Sequence, residues 1–452
     1  MNDTRKHFSQ DYLVAEVRES LCASLKRSEV PEVPSSSISN LDCLMSGLAV
    51  FTFKYPSLLQ FDEAQREDTA LAANLKSLFS IRKCPSDTYM RERLDEIDPR
   101  LLRLAFRSLF ALLQRAKLLD HFRFFDDHYL ISVDGSGTFS SGKVHCADCC
   151  TKEHRDGSVT HYHQLLAAAL VHPDQKVVYP FAPEPIMKTD DSSTKNDCEL
   201  NALKRWIPEF RREHPHLKAV IVADGLTSNE PIIQLMRENR LRFILVCKES
   251  DHKYLTDWVN AADEEDKTTL DTDKGGAKRH YEYMLNVPIN YEKQHCLVNV
   301  VRFSETKMVS EGKGKNKKTK EKTTNWMWVT DLPLSLCNIE EFVRGGRARW
   351  KIENETFNTL KNQGYEFEHN FGHGKKHLHT VFSCLMLLAF FIDQCLQHVN
   401  KRFQAALEKV GRKKYLWERI RTYIHNFELP DFESMYHAIT HPPPRVSLES
   451  VI

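Results

Sequence analysis

The feature that most constrains the fold is a series of apolar segments in the middle of the chain, each ending near a polar turn. The segments HYLISVDGSG, LKAVIVADG and RFILVCK each have about the length of one strand. Continuous apolar runs of this kind are typical of strands that are buried on both faces. Two amphipathic segments of helical periodicity, NDCELNALKRWIPEFRREH and PIIQLMRENR, separate the later strands. Strands that alternate with helices predict an α/β core built on a mixed sheet.

The remaining chain divides around this core. Apolar residues at three- and four-residue spacing predict an all-α N-terminal domain over residues 1–125, before the first part of the core at 126–250. Alternating residues on both sides of a Lys-rich tip predict an antiparallel β insertion over 251–335. Residues 336–400 then complete the core with a helix, and 401–452 form a helical C-terminal region and tail.

Composition excludes several classes of protein. The chain has 452 residues, 41% hydrophobic and 28% charged, with a net charge of +1, so any binding of a polyanion must use local basic patches. Twelve cysteines are too few for a disulfide scaffold, and the first 18 residues are too polar for a secretory signal. The longest apolar run, VFSCLMLLAFFI, is shorter than the ~20 residues of a membrane span and predicts a buried helix. We therefore expect a cytoplasmic protein without a membrane partner.

Two aspartates each close a predicted core strand and precede a glycine. Asp134 is followed by GSG, and Asp224 is followed by Gly225. An aspartate at the carboxyl end of a core strand projects into the crevice where α/β sheets place ligands. An Asp-Gly pair is equally typical of a simple turn. Either aspartate alone fits both interpretations, and the presence of two favours a site.

A third acid, Glu353, lies in a segment of helical periodicity. At 100° per residue, with Trp350 at zero, Glu353 falls at about 300° and Phe357 at about 340°, which predicts that Glu353 lies within the apolar stripe. Arg349 falls beside it, and Glu355 falls on the opposite, solvated face. A carboxylate on a buried face is costly unless it is paired or binds a metal ion. Arg349 therefore either forms a structural salt bridge with Glu353 or orients it as a metal ligand.

Three carboxylates from separate elements suit hard cations, which take oxygen ligands. Two such ions activate the attacking oxygen and stabilise the leaving oxygen in phosphoryl transfer. The chain also carries segments rich in Lys and Arg, so a DNA phosphodiester is the expected substrate.

The three motifs together resemble the DDE transposases of bacterial insertion sequences, in the group with a β insertion between the second Asp and the Glu. The matching segments are VDGSGTF, VADGLTSN and RWKIENETFNTLKNQGYEFEHNFGHG. The resemblance covers roughly residues 40–400. It implies a ribonuclease H-like core in which Asp134, Asp224 and Glu353 bind Mg²⁺, with Mn²⁺ as a substitute. It further implies hydrolysis that frees a 3′-hydroxyl, followed by attack of that hydroxyl on target DNA.

The family's helix signature is Tyr, two residues, Arg, three residues, Glu, six residues, Lys. Arg349 and Glu353 fit it, so the resemblance makes Arg349 a site residue. Two positions depart: Gly346 stands at the Tyr position and Leu360 at the Lys position. Lys361, one place later, is the predicted substitute for that lysine.

The resemblance implies double-stranded DNA as partner, both at element ends and at the target, and a homodimer that bridges two ends. The N-terminal helices are the expected region for recognising the ends. Two alternatives stay open. One is a metal-dependent nuclease on the same core, and the other is a domesticated, non-catalytic DNA-binding protein.

Three further groups stand out in the sequence. Cys146, Cys149, Cys150 and His154 fit either a structural zinc site or free buried thiols, because no second clear ligand pair follows them. The lysines between 313 and 322, and the stretch HNFGHGKKHLH, fit either phosphate contacts or solvated loops. Trp326 and Trp328 share one face of a predicted strand and are more typical of a sheet surface or core than of base stacking.

Overall fold

The computed structural model describes residues 8–30, 37–188, 197–292, 294–311 and 318–443. Short 3₁₀ turns join several of the helices, and a π-helical turn, Ile352–Phe357, stands between α10 and α11. The helices in chain order are α1 Gln10–Lys26, α2 Asn40–Thr52, α3 Leu58–Glu67, α4 Thr69–Phe79, α5 Asp87–Asp95, α6 Arg103–Arg115, α7 Glu199–Glu213, α8 Glu230–Glu238, α9 Lys253–Ala261, α10 Ile339–Arg347, α11 Asn358–Asn362, α12 Leu378–Val399, α13 Lys401–Val410, α14 Lys413–Asn426 and α15 Phe432–Thr440.

Within the described residues, twelve strands join into one sheet. Its main order is β3-β4-β2-β7-β8-β12-β11-β10-β9, with β1 beside β2 and with β5 and β6 beside β4. The strands are β1 Arg123–Phe124, β2 His128–Ser141, β3 Cys150–Glu153, β4 Val159–Val171, β5 Tyr179–Pro180, β6 Glu184–Ile186, β7 Ala219–Ala223, β8 Arg242–Val246, β9 Thr268–Lys274, β10 Ala277–Pro288, β11 Leu297–Glu311 and β12 Lys318–Thr330.

The centre of this sheet is mixed, as the sequence predicts. Strands β2 and β4 run antiparallel, whereas β2, β7 and β8 run parallel to one another. The five residues of β7 are all buried, which agrees with a strand covered on both faces. Helices α7 and α8 pack on each other, and the π-helical turn packs on β2 and β4. The predicted α/β class with a mixed sheet is therefore confirmed.

The segment after β8 extends the same sheet. Strand β12 pairs antiparallel with β8, and β11, β10 and β9 continue outward as antiparallel neighbours. Strands β11 and β12 form the hairpin whose connecting segment is rich in lysine. Residues 312–317 of that segment lie outside the described residues.

Helices from the two ends of the chain pack together. The ammonium of Lys54, just after α2, lies 2.7 Å from the carboxylate of Asp393 on α12, and both side chains are buried. Asn74 on α4 donates to the carbonyls of Ile424 and Phe427 at 2.8 Å each. These long-range polar contacts make the N-terminal and C-terminal helices one helical body.

Helix α12 contains the longest apolar run of the sequence. With 22 residues it is longer than the twelve-residue run suggested, and by length and composition alone it is sufficient to cross a membrane. However, 89% of its most apolar window is buried inside the protein. This degree of burial is that of a core helix, as predicted.

Candidate functional site

Asp134 and Asp224 lie side by side on two neighbouring parallel strands. Asp224 follows the end of β7 as predicted, but the prediction that Asp134 closes its strand is wrong, because β2 continues to Ser141 and pairs Asp134 with Ala167 of β4. The register pairs Ser132 of β2 with Val222 of β7, so each aspartate stands two residues beyond the last paired position. Both are half-buried. Asp224 also accepts a hydrogen bond from the backbone N–H of Leu226 at 3.1 Å, so it starts a turn as well. The two predicted interpretations of Asp224 are therefore compatible.

Arg349 faces Asp134 across the sheet surface. A guanidinium nitrogen lies 3.2 Å from the Asp134 carboxylate, and Arg349 is only 8% exposed. The hydroxyl of Ser132 donates to the Arg349 carbonyl at 2.8 Å, which fixes the start of the Glu353 segment against β2. The ring of Trp350 stacks under the guanidinium at 4.3 Å. Arg349 thus joins the third motif to the first.

The predicted orientation of Glu353 is wrong. Glu353 is exposed rather than within an apolar stripe, Trp350 is 48% exposed, and Glu355 is half-buried. The predicted angles assumed a uniform α-helix at 100° per residue, whereas Ile352–Phe357 is π-helical. Its i→i+5 hydrogen bonds widen the turn, so residues beyond its start rotate away from the predicted face. Arg349 pairs with Asp134, so the alternative in which it forms a structural salt bridge with Glu353 is wrong.

The charge of Glu353 nevertheless acts on Asp134. Burial is the largest effect on Asp134 and raises its pKa. Arg349 opposes that rise, whereas the negative charges of Asp224 and Glu353 add to it. Neighbouring carboxylates raise one another's pKa, and a divalent cation bound among them would offset that repulsion. The negative charges of Asp224 and Glu353 therefore both act on Asp134, beyond the effect of burial.

A fourth acid, Glu199, belongs to the same place and was not predicted. It is half-buried in the first turn of α7, and its pKa is raised by burial and then by Asp134 and Asp224. A Cβ atom added at Gly135 would lie 2.2 Å from the Glu199 Oε1 atom. The absence of a side chain at Gly135 is therefore what admits Glu199 next to Asp134. We call Asp134, Asp224, Glu353 and Glu199 the carboxylate cluster.

The chemistry of this donor set fits Mg²⁺ or Mn²⁺. All its ligand atoms are carboxylate oxygens, which hard divalent cations prefer, and Arg349 is the cation in contact with Asp134. Among the described residues, the carboxylates are not gathered as closely as the ligands of a preformed compact metal site. Mutual repulsion among like charges keeps such groups apart until a cation neutralises them.

The structure explains both departures from the helix signature. The Trp328 ring occupies the space beside Gly346, where an added Cβ would lie 2.8 Å from it. Leu360 is fully buried in the core. Lys361 is half-buried and forms an ion pair with Glu368 at 2.8 Å. Lys361 therefore lies on the same helical segment as Glu353, and its predicted role in the site stays a prediction.

The predicted cysteine group is only half correct. The Cys150 thiol is buried and contacts the Ile186 carbonyl at 3.8 Å, and the exposed His154 ring bonds the Thr160 hydroxyl at 2.7 Å. Neither side chain joins the other two cysteines. Within the described residues, the side chains whose ligand atoms all lie within 4.8 Å of one another are Cys146, Cys149, His163 and His373.

The other predicted groups have mixed outcomes. Trp328 is buried, and Trp326 stacks on Phe303 at 5.4 Å with the Arg347 guanidinium over it at 5.0 Å. The tryptophans therefore serve the sheet and its packing, as favoured from the sequence. Three of the six lysines between 313 and 322, those at 313, 315 and 317, lie outside the described residues.

No protein-family model matches this chain. A curated relative, the bifunctional protein FolD of Mycoplasmoides gallisepticum (strain R(low / passage 15 / clone 2)), is 32% identical over 53 residues. That match covers 12% of this chain and 19% of the relative, so the chain spans about a fifth of that protein's length. Among solved structures, the chain is similar to a piggyBac transposase in a synaptic complex with hairpin DNA, determined by cryo-EM. The likeness has 13% identity and a TM-score of 0.36, and it covers 94% of this chain and 85% of the other.

Proposed function

We propose that this chain is a DNA transposase that cleaves the ends of an insertion sequence and transfers the freed 3′-hydroxyl to target DNA. The carboxylate cluster is its active site, and a divalent cation, Mg²⁺ with Mn²⁺ as substitute, is its cofactor. Its partners are the double-stranded DNA of element ends and target, engaged by a homodimer.

One observation carries the proposal. Asp134 and Asp224 stand side by side, each two residues beyond the last position at which β2 pairs with β7, and Arg349 from a distant helical segment contacts Asp134 there. The charge of Glu353, on the same segment as Arg349, also acts on Asp134. A protein that only binds DNA gains nothing from acids at its centre, because like charges repel phosphates. Acids that converge in this way favour phosphoryl transfer assisted by a bound cation.

Each residue has a distinct part in this chemistry. Asp134, Asp224 and Glu353 would hold the cation, which lowers the pKa of an attacking water or hydroxyl and stabilises the leaving oxygen. Arg349 neutralises and orients the Asp134 carboxylate. Glu199, beside Asp134, adds negative charge that strengthens cation binding and accepts hydrogen bonds from bound water.

The surface beside Glu353 supports DNA as the substrate. We call the helical segment 352–362, which carries Glu353, the catalytic helix. Arg344, Arg347, Lys351 and the exposed Trp350 line a depression beside α10 and the start of this helix. Arg344 is held by Asp174 at 2.6 Å. Cationic side chains grouped with an exposed aromatic ring are typical of surfaces that contact phosphates and bases.

The test is cleavage of a supercoiled plasmid that carries the DNA flanking the gene. Wild type is compared with Glu353→Gln and with the matched control Glu355→Gln, each with Mg²⁺ and with a chelator. We expect metal-dependent cutting at defined ends by wild type and by Glu355→Gln, with no cutting by Glu353→Gln. Cutting by Glu353→Gln together with an inactive Glu355→Gln would contradict the assignment of the third acid.

The products separate transposition from its alternatives. Joined strand-transfer products in a second plasmid support a transposase. Cutting at the ends without joining would indicate a nuclease instead. A folded wild-type protein that binds the ends and never cuts them would indicate a domesticated DNA-binding protein.

A further inference from the structure

We propose that Cys146, Cys149, His163 and His373 form a structural zinc site. Three separate parts of the chain supply these ligands. The two cysteines lie in the connection between β2 and β3, His163 lies on β4, and His373 lies in the loop that follows the catalytic helix. We call these four side chains the Cys–His cluster.

The three distances among Cys146, Cys149 and His163 match edges of a zinc tetrahedron, and all four ligand atoms lie within 4.8 Å of one another. With Zn–S near 2.3 Å and Zn–N near 2.05 Å, tetrahedral geometry gives S···S of about 3.8 Å and S···N of about 3.5 Å. The Sγ atoms of Cys146 and Cys149 are 3.9 Å apart, and His163 Nε2 lies 3.4 and 3.5 Å from them. His373 Nε2 lies 3.0 Å from the Cys149 Sγ atom. His163 and His373 therefore both direct their Nε2 atoms toward the cysteine thiols.

The surroundings hold both rings in these orientations. His163 stacks on the His379 ring at 4.4 Å, and the Nε2 atom of His379 is bonded to the Thr138 hydroxyl at 2.6 Å. The ring of Phe139 packs against His373 at 4.6 Å. Ligands that are fixed before the ion arrives bind it more tightly, because less conformational entropy is lost.

The loop backbone is shaped to bring His373 to the sheet. The residues on both sides are glycines with positive φ, +158° at Gly372 and +68° at Gly374. Asp95 then accepts the backbone N–H groups of the next four residues, at 2.8 to 3.0 Å, which caps helix α12. The loop is therefore fixed immediately after His373.

The ligand chemistry selects zinc and a structural role. Two thiolates and two imidazoles suit Zn²⁺ and not the hard cations expected at the carboxylate cluster. All four positions of the tetrahedron are filled by protein, so none remains for substrate. A Cys146–Cys149 disulfide is the competing use of the two thiols, but it leaves the convergence of two imidazoles unexplained.

A zinc ion here would join the loop that follows α11 to strand β4, which pairs with β2, and to the connection between β2 and β3. Because β2 carries Asp134, the ion fixes the two halves of the proposed active site relative to each other. The inference itself stands on the Cys–His cluster alone and does not depend on any DNA chemistry.

The experiment measures metal in the purified full-length chain by mass spectrometry of the elements. We expect about one zinc ion per chain in wild type and its loss in Cys149→Ser and His373→Gln. The matched controls are Cys198→Ser, an exposed cysteine outside the cluster, and His369→Gln, an exposed histidine of the same loop. Both controls should retain zinc, and so should Glu353→Gln, whatever its effect on DNA.

A second measurement covers the case in which the ligand variants fail to fold. X-ray absorption at the zinc edge of the wild type should show two sulfurs near 2.3 Å and two nitrogens near 2.0–2.1 Å. Wild-type protein without zinc even after refolding with it, a zinc shell of oxygen ligands, or a Cys146–Cys149 disulfide in the purified chain would overturn the inference.

Discussion

Replacing Gly135 with alanine tests whether Glu199 belongs to the active site. The added Cβ would lie 2.2, 2.4 and 2.7 Å from the Oε1, Cδ and Cγ atoms of Glu199. These contacts involve more than the flexible end of the side chain, so the whole Glu199 side chain must leave its place beside Asp134. The neighbouring Gly137 is the matched control, because an added Cβ there meets only the His163 carbonyl at 4.0 Å.

The magnitude follows from two opposing effects. Overpacking a filled site costs about 1–3 kcal/mol of unfolding free energy, and reducing the flexibility of the unfolded chain returns about 0.4–1 kcal/mol. We therefore expect Gly135→Ala to be destabilised by about 1–2 kcal/mol. Gly137→Ala gains only the second effect and should be equal to wild type or slightly more stable.

The assay combines denaturant unfolding with plasmid cleavage. Displacement of a group in a site by about 1 Å costs on the order of 100-fold in rate, so Gly135→Ala should cleave about 10- to 100-fold more slowly. Glu199→Gln, which keeps the shape and removes the charge, should share the loss of cleavage without the loss of stability. If Gly135→Ala and Gly137→Ala are equal in stability and in cleavage, the placement of Glu199 is refuted.

Three further predictions concern charge and packing. Burial raises the pKa of Asp134 in the folded state, so the free energy of unfolding falls as the pH rises through that pKa. Asp134→Asn should therefore be more stable than wild type without added metal at neutral pH, and this advantage should disappear in acid. A difference between their urea midpoints that does not change with pH would refute this prediction. Lys54→Met removes the ion-pair partner of the buried Asp393 carboxylate and should lower the free energy of unfolding by about 3–5 kcal/mol. Adding Asp393→Leu should restore most of that loss, and equal unfolding midpoints for the single and double variants would contradict the pairing. The Tyr side chain of Gly346→Tyr collides with the Trp328 ring and should lower the free energy of unfolding by more than about 1 kcal/mol. A double-mutant cycle should show that Trp328→Ala destabilises the Gly346→Tyr chain less than it destabilises wild type.

Local sequence was sufficient to locate the core strands and to place Asp224 at the end of β7, but it ended β2 too early, at Asp134. The run that ends at Asp224 is apolar over five buried residues, so its type and its end are both encoded nearby. The α/β class followed from the alternation of such runs with amphipathic helices. The order of the strands in the sheet and the joining of the insertion to β8 depend on pairing between distant segments, which a single sequence does not reveal.

The errors at the site have specific physical causes. The predicted orientation of Glu353 assumed an α-helix with 3.6 residues per turn, because no residue in IENETF indicates a π-helical turn. Glu199 was not predicted because its neighbour Asp134 lies 65 positions away in the sequence. The local features that could have indicated it are the glycine after Asp134 and the acidic residue in the first turn of α7.

The Cys–His cluster also depends on residues that are distant in sequence. Cys146 and Cys149 are a recognisable local pair, and the search for partners nearby selected Cys150 and His154. The true neighbours lie 17 positions away, from Cys146 to His163, and 224 positions away, from Cys149 to His373. The glycines on both sides of His373 were the only local indication that this loop has a demanding conformation.

The most direct test of the account replaces one proposed metal ligand by a softer one. In Asp224→Cys the oxygen ligand becomes a thiolate, which binds Mg²⁺ poorly and Mn²⁺ better. We predict that this variant cleaves plasmid DNA weakly or not at all in Mg²⁺ and recovers cleavage in Mn²⁺, while Asp224→Ala stays inactive with both ions. Equal activity of Asp224→Cys and wild type in Mg²⁺, or Mn²⁺ rescue of Asp224→Ala to the same extent, would contradict the claim that this carboxylate holds the catalytic ion.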